Sequence, residues 1–581
     1  MLSNTTKISY VGDLILLKDQ VVKSYNEKTK EYEFDYMFSE AKKYLKESDY
    51  SIGVLEGPVA DPKNGYSTSN YGDGIKIYQN YPESFLEAIK EAGIDYVTTA
   101  NNHMLDMKEE GVYDTIKALK RQDLDYIGTY KSEKDKEKNS VQILNINGIK
   151  IAVLSYSMNS NYYPSSYFFE ENKYISSIIV NQNSPYYDEA LQNVKNDFQK
   201  VKKQNPDLIM VMAHMGSQFI HTTNSMQKLW NQNFKLMGAD IILGDHSHAV
   251  QPIEYDGETL IINSPGNFAN SYIENDGDAT AITEFYIDNK TKKIVGYSIV
   301  PMFTNEIEEG KFVATPIYDY LKNHENKLTT RIEEIQKLVT KVMINEEITA
   351  HNLQEKYYKI NEEYVKKYES KKIKKENKKL SNLINQSKKI AFIGDSITDG
   401  TKNGKHPWYE SLMLKYETKE IINISRGSLT LKDLLEESET KILNTKSDLY
   451  IISIGANDIR YRIENMCSMT KEEYIENIDK LVSLIKKSNK DAKIVLIAPW
   501  IAFEKDFRTP LSEIEKTKLY EEYSNELKKY AKDNNYLYIN PNKYILNQLK
   551  YKIKKDYLSD AIHPNYEKGI ALYSDAVLYS N

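Results

Sequence analysis

The chain has 581 residues, with 77 Lys and Arg against 84 Asp and Glu, and a formal net charge of -7 excludes a generally basic, polyanion-coating protein. Its single cysteine, Cys467, excludes an internal disulfide framework and suits a reducing compartment. This length holds about three to four domains. No stretch approaches the roughly 20 apolar residues that span a bilayer.

The start, residues 1–7, lacks a charged segment followed by an apolar one, so the expected location is cytoplasmic, with peripheral association as the remaining membrane role. In the first half, short apolar runs are each closely followed by polar groups. Gly12-Asp13 follows the run 7–11, Glu56 closes 52–56, and Asn101-Asn102-His103 comes next. His214 follows 208–212, and His246 and His248 lie in Gly244-Asp245-His246-Ser247-His248. Strand ends would aim all of these at one rim. Carboxylate, amide and imidazole donors converging in this way suit a divalent ion such as manganese, zinc or iron. Two such ions would clamp an in-line phosphoryl displacement. The chain has 9 histidines, and four of them fall in this set, which argues against scattered polar residues.

Ala100-Asn101-Asn102-His103 with Asp106 and Gly111, Met237-Gly238-Ala239-Asp240 before the Gly244–His248 motif, Val250-Gln251-Pro252-Ile253-Glu254 and Ser264-Pro265-Gly266-Asn267-Phe268 extend the pattern. Over residues 5–303 it resembles the calcineurin-like metallophosphoesterases, and more closely their CapA branch of bacterial capsule and poly-γ-glutamate synthesis proteins. The resemblance implies a four-layer α/β sandwich binding one or two divalent ions. The implied ligands are Asp13, Glu56, Asn102, His214, His246 and His248, and His103 is the implied acid for the leaving group. The chain departs from the general pattern twice. Ile15 stands where a histidine ligand follows the first aspartate, and Glu56 replaces the bridging aspartate. His221 reads as an exposed loop residue. A long insertion after 153–156, carrying Tyr162-Tyr163 and Tyr186-Tyr187, reads as a substrate lid.

Residues 306–386 read as a helical, charged linker. Leu328, Ile332, Ile335, Leu338, Val339 and Val342 form one apolar stripe at helical spacing. The basic run 366–379 reads as a solvated helix face rather than a nucleic-acid patch, so no nucleic-acid partner is expected.

The last third carries a different chemistry. Gly394-Asp395-Ser396 follows the apolar run 390–393, which puts Ser396 at the end of a buried parallel strand. Residues 397–400 lack the Gly-Lys-Ser/Thr ending of a phosphate-cradling loop, so ATP use is unsupported. A serine nucleophile needs an imidazole base and an acid to orient it, and His563 with Asp560 supplies both in Asp560-Ala561-Ile562-His563-Pro564. The backbone N–H groups of Ser396 and Gly427 and the side-chain amide of Asn457, in Gly455-Ala456-Asn457-Asp458, are candidate oxyanion donors.

These four blocks, in this order over residues 387–581, resemble the SGNH (GDSL) hydrolase family. The resemblance implies a three-layer α/β/α, flavodoxin-like fold and serine ester or acyl chemistry without a cofactor. The expected organisation is a CapA-like domain over 1–305, the linker over 306–386 and the hydrolase over 387–581. The expected function is a two-domain enzyme of bacterial surface-polymer metabolism, on capsule polysaccharide or poly-γ-glutamate. It pairs an O-acyl (acetyl) hydrolase or transferase with a metal-dependent phosphoesterase-like domain. Its expected partner is an acylated carbohydrate or polymer precursor. The alternative is a non-catalytic N-terminal scaffold that binds polymer or a membrane polymer synthase.

Overall fold

In the computed structural model, residues 2, 4–324, 328–349, 353–361, 363–365, 376–416, 419–460, 462–463, 466–467, 469–503, 513–550, 554–560 and 562–580 are described. The apolar runs of the first half become strands. β1 (Thr5–Leu14), β2 (Tyr50–Leu55), β3 (Tyr96–Thr98) and β4 (Asp125–Ile127) begin one sheet. β5 (Gln142–Ile146), β6 (Ile149–Ser157), β7 (Leu208–His214), β8 (Ile241–Asp245), β9 (Ile253–Tyr255) and β10 (Leu260–Ile262) form a second, in the order β9-β10-β8-β7-β6-β5. The chain then returns to the first sheet through β11 (Ala279–Asp288), β12 (Ile294–Glu308) and β13 (Lys311–Pro316), giving the order β13-β12-β11-β1-β2-β3-β4.

The two sheets lie face to face. The Tyr10 hydroxyl of β1 donates to Gly244 O at 3.0 Å, and Thr98 Oγ1 of β3 meets Ser155 Oγ of β6 at 2.7 Å. Helices cover both outer faces. α1 (Ser84–Ala92) buries Phe85, Leu86 and Ile89 with Leu55 and Val97 of the first sheet. α2 (Tyr187–Lys203) and α3 (Ser225–Met237) bury Val194, Phe198, Trp230 and Phe234 with Leu154, Val211 and Ile242 of the second. The result is a four-layer α/β sandwich. Within the second sheet β6, β7 and β8 pair in parallel and level, with Ser157 opposite His214 and His214 opposite Asp245, while the outer pairs β5–β6 and β9–β10 are antiparallel. This register puts the motif-bearing strand ends at one rim.

The segment expected as a helical linker is only partly so. α4 (Thr330–Ile344) buries Ile332, Ile335 and Val339 as its spacing predicts, but Leu328 precedes it and is exposed. β12 runs on to Glu308, β13 follows, and β14 (Tyr357–Ile360) pairs with β12. The added strand is held by Lys356 Nζ at 2.7 Å from the fully buried carboxylate of Glu284. One compact unit accordingly covers 1–350 and 354–368, and the other covers 351–353 and 369–581. Residues 366–375 of the basic run lie outside the described residues. Among the described residues no helix is long and apolar enough to cross a membrane.

The second unit is built on β15 (Lys389–Gly394), β16 (Glu420–Asn423), β17 (Leu449–Ser453), β18 (Lys493–Ile497) and β19 (Leu537–Ile539), all parallel, in the order β16-β15-β17-β18-β19. α5 (Ser396–Asp399) and α6 (Tyr409–Met413) follow β15; α7 (Leu431–Thr445) precedes β17 and α8 (Ala456–Arg460) follows it. α9 (Lys471–Ser488) packs on α7 and α10 (Glu513–Asp533) on α9, while α12 (Gly569–Tyr579) packs on α6 and α11 (Asn542–Leu549) on α12 as a second group. These are the helical layers of a three-layer α/β/α fold. Strand order reverses between β15 and β17, and open parallel sheets bind ligands at the carboxyl ends of strands on either side of such a reversal. Ser396 and Asn457 follow those two strands.

Candidate functional site

Asp395 caps α5 by accepting a hydrogen bond from Ile397 N at 3.1 Å, and this turn presents Ser396 just beyond β15. Ser396 Oγ lies 2.8 Å from His563 Nε2, and His563 Nδ1 lies 2.8 Å from each carboxylate oxygen of Asp560. The backbone N–H groups of Ile562 and His563 also donate to Asp560 Oδ1, at 2.9 and 2.8 Å, so the loop that carries the histidine clamps its own acid. Burial works against ionisation of Asp560, yet the hydrogen bonds from His563 outweigh it and hold the carboxyl well below its ordinary value. An ionised acid behind a neutral imidazole fixes Nδ1 as donor and Nε2 as acceptor, as a base for a serine requires.

Gly427 comes up against the same turn. A Cβ there would stand 2.7 Å from Thr401 Oγ1, and Thr401 N donates to Ser396 O at 3.1 Å. Asn457 follows the neighbouring strand, where Gly394 and Ser453 are in register. Its Nδ2 donates to Leu429 O at 2.8 Å, and its Oδ1 accepts from Arg460 Nη1 at 2.9 Å. These two bonds fix which end of the amide is the donor.

The N-terminal unit gathers a second cluster. His214 Nε2 lies 2.6 Å from Asn102 Oδ1, 2.9 Å from His246 Nδ1 and 3.6 Å from Glu56 Oε1. The same Glu56 oxygen lies 3.7 Å from His248 Nε2. Glu56, His246 and His248 offer ligand atoms within 4.8 Å of one another, close enough to converge on one ion, and Asp13, His214 and Asp245 do the same. Glu56 decides the fit: its carboxylate is fully buried and neither oxygen accepts a hydrogen bond. Burial, then Asp13 and Asp245, push Glu56 well above its ordinary value. Burial also pushes His214 down to about 3 and His246 well below its usual range, so both are neutral imidazoles, the form that binds metal. His246 and His248 carry φ angles of 85° and 53°, a left-handed backbone that non-glycine residues adopt at a cost and that clusters at ligand sites. Gly12 brings β1 against the loop after Ser264, where a Cβ would meet Gly266 O at 2.0 Å.

The comparisons with known proteins divide the chain in the same way. Residues 7–272 match the model of "Bacterial capsule synthesis protein PGA_cap", and residues 392–567 match "GDSL-like Lipase/Acylhydrolase family". A PGA_cap (CapA) domain precedes a GDSL-like acylhydrolase domain. The PGA_cap domain is similar to the capsule biosynthesis protein CapA of Bacillus anthracis, 28% identical over 284 residues, covering 48% of this chain and 63% of that protein. It is also similar to the PGA biosynthesis protein CapA of Bacillus subtilis (strain 168), 27% identical over 261 residues, covering 45% and 62%. The chain thus spans less than two thirds of the length of these curated relatives. Among solved structures, a putative GDSL-like lipase from Parabacteroides merdae ATCC 43184 is 19% identical, covering 32% of this chain and 92% of that one, with a TM-score of 0.28.

Within the PGA_cap domain, Asp13 reaches the cluster through His248, with Oδ2 at 3.0 Å from Nδ1. His103 stands beside the cluster, with Nδ1 2.6 Å from Asp106 Oδ2. Asp245 was not among the residues expected as ligands. Its carboxylate touches His214 Nδ1 and accepts from the Tyr10 hydroxyl at 3.2 Å, the way a carboxylate orients a metal-binding imidazole. Tyr71 escaped sequence reasoning too: its hydroxyl lies 3.2 Å from His248 Nε2. His221 is half-buried rather than exposed, with Nδ1 2.9 Å from Val250 O. In the insertion, the Tyr162 ring packs tilted against Tyr78, centroids 4.5 Å apart, and its hydroxyl donates to Ile77 O.

In the GDSL domain, burial and, secondarily, Asp395 push the Asp458 carboxyl from 3.8 up to about 7, against the hydrogen bond it accepts from Leu431 N. A raised folded-state pKa gives stability that is fully present below the ordinary value and is lost as pH rises through about 7. Asp458→Asn therefore raises the thermal midpoint of this domain more at about pH 8 than at about pH 5. The expected widening is several degrees, at about 2–4 °C per kcal/mol for a domain of this size. A pH-independent difference between variant and parent contradicts the assignment.

Proposed function

We propose that the GDSL domain is a serine esterase that removes O-acyl groups, acetyl above all, from a surface polymer or its precursor. The Ser396–His563–Asp560 relay carries this reading. Ser396 Oγ attacks the ester carbonyl as His563 Nε2 takes its proton. The N–H groups of Ser396 and Gly427 and the Asn457 amide stabilise the oxyanion, and the alkoxide leaves with the proton from His563. Water, deprotonated by the same imidazole, then releases the acid and restores the serine. A sugar hydroxyl in place of water makes the same step a transfer.

The PGA_cap domain binds one or two divalent ions of manganese, zinc or iron through Glu56, Asn102, His214, His246 and His248, with Asp13 behind His248. When bound there, an ion would supply Lewis-acid polarisation of a phosphoryl oxygen. His103, held by Asp106, is the acid that would protonate a leaving alkoxide. The unpartnered Glu56 carboxylate favours a metal site over a bare scaffold, since a polymer-binding surface gives no reason to bury an uncompensated carboxylate among imidazoles. The names of the relatives attach this half to capsule and PGA biosynthesis, which supports a surface polymer as the common substrate of both domains.

The test is acetate release from O-acetylated polysaccharide, together with a p-nitrophenyl ester series. Turnover that falls from acetyl to octanoyl supports the reading, and preference for long acyl chains contradicts it. Asn457→Ala lowers kcat about 10²–10³-fold with KM nearly unchanged, the usual cost of one oxyanion donor. A change in KM alone would assign Asn457 to substrate binding instead.

A further inference from the structure

The PGA_cap site lacks one expected donor. Two positions after Asp13 stands Ile15, whose side chain is buried in the core and offers no ligand atom. On the Glu56 side of the cluster His248 Nε2 has one carboxylate oxygen 3.7 Å away and the Gln218 side-chain amide nitrogen at 3.4 Å. The Tyr71 hydroxyl lies closest to that nitrogen, at 3.2 Å, on the connection that begins at Glu56 and 177 residues from His248.

This placement is built. Ser69 O accepts from Lys18 N at 3.2 Å, and the Asn70 side chain accepts from Asp19 N at 3.1 Å, which anchors the strand-side end of the loop. Asp73 closes the turn around Tyr71, accepting from Asn70 N and Ile75 N at 2.8 Å each. The ring is gripped edge-on by Phe219 at 5.6 Å and by Tyr272 at 5.1 Å. On the far side of the His248 ring, Nδ1 is occupied by Asn267 Oδ1 at 2.9 Å and Asp13 Oδ2 at 3.0 Å, so Nε2 is the nitrogen turned towards Glu56 and Tyr71. A phenol oxygen and a carboxylate oxygen thus stand 3.2 and 3.7 Å from the same imidazole nitrogen.

We propose that Tyr71 supplies its phenol oxygen to the metal centre in place of the absent histidine, completing a Glu56–His248–Tyr71 half-site. The proposal rests on the metal reading above. A hard oxygen donor there favours iron or manganese over softer ions. It also explains why the motif tolerates Ile15, because the missing ligand arrives from another loop.

The experiment uses the full chain, stripped of metal and titrated with Mn²⁺ against a competing chelator, with a parallel sample loaded with Fe³⁺. Tyr71→Phe is expected to weaken Mn²⁺ binding at least about tenfold, the scale of losing a partner of a metal site. The Fe³⁺-loaded parent is expected to show the visible phenolate-to-iron charge-transfer band, absent in the variant. Tyr71→His, which restores an imidazole, is expected to keep the affinity and lose the band. Unchanged affinity in Tyr71→Phe overturns the proposal. Weakened affinity with no band in the parent also overturns it, and makes Tyr71 a positioning residue acting through His248. No metal bound by the parent overturns the metal reading itself.

Discussion

Ser396→Ala lowers turnover of p-nitrophenyl acetate by a factor of about 10⁴ or more, the scale on which a catalytic serine is missed when the remaining site still binds substrate. The folded domain survives the change. The side chain is small, and the loss of one hydroxyl hydrogen bond costs about 1 kcal/mol. The bond lost is the one from Ser396 Oγ to His563 Nε2, so the effect is chemical rather than structural. His563→Ala gives a loss of the same order, and the double variant is little worse than either single one, because the two residues act as a unit. Circular dichroism and thermal melts alongside the kinetics separate loss of activity from loss of fold. Full activity in Ser396→Ala, with the fold intact, contradicts the relay.

The second large effect belongs to the PGA_cap domain. His246→Ala combined with His248→Ala removes two imidazoles from the cluster around Glu56 and abolishes bound metal, while esterase activity stays at the parent level. In the parent, metal at about 100 times its Kd stabilises the domain by about 2.7 kcal/mol, and the variant shows no such gain. Elemental analysis and melting curves with and without metal read both outcomes. Metal retained at parent stoichiometry contradicts the site. Loss of esterase activity contradicts the chemical independence of the two domains.

The sequence made the strand-end motifs legible for a physical reason. Buried parallel strands are nearly continuous apolar runs, so a polar residue at their carboxyl ends stands out, and Asp13, Glu56, His214 and Ser396 each do. His563 and Asp560 were readable because three positions suffice to bring acid and imidazole together. What escaped was set by contacts between distant segments. Tyr71 lies 177 residues from His248, in a glycine-rich loop of a chain with 47 tyrosines, and carries no periodic or motif signal. Asp245 sits inside a motif whose histidines carry the stronger signal, and its grip on His214 depends on β7 and β8 being level. β13 and β14 fall where the sequence reads as a helical connector, because short strands with charged flanks show little alternation. Their pairing with β12 is a tertiary choice, fixed by partners such as Glu284 and Lys356.

The most direct measurement is intact-protein mass spectrometry of the full chain after treatment with a fluorophosphonate, followed by peptide mapping. The account predicts one adduct per chain, on Ser396, formed with concurrent loss of esterase activity and absent from Ser396→Ala. A stoichiometric adduct on another residue, or complete loss of activity with Ser396 unlabelled, would contradict it.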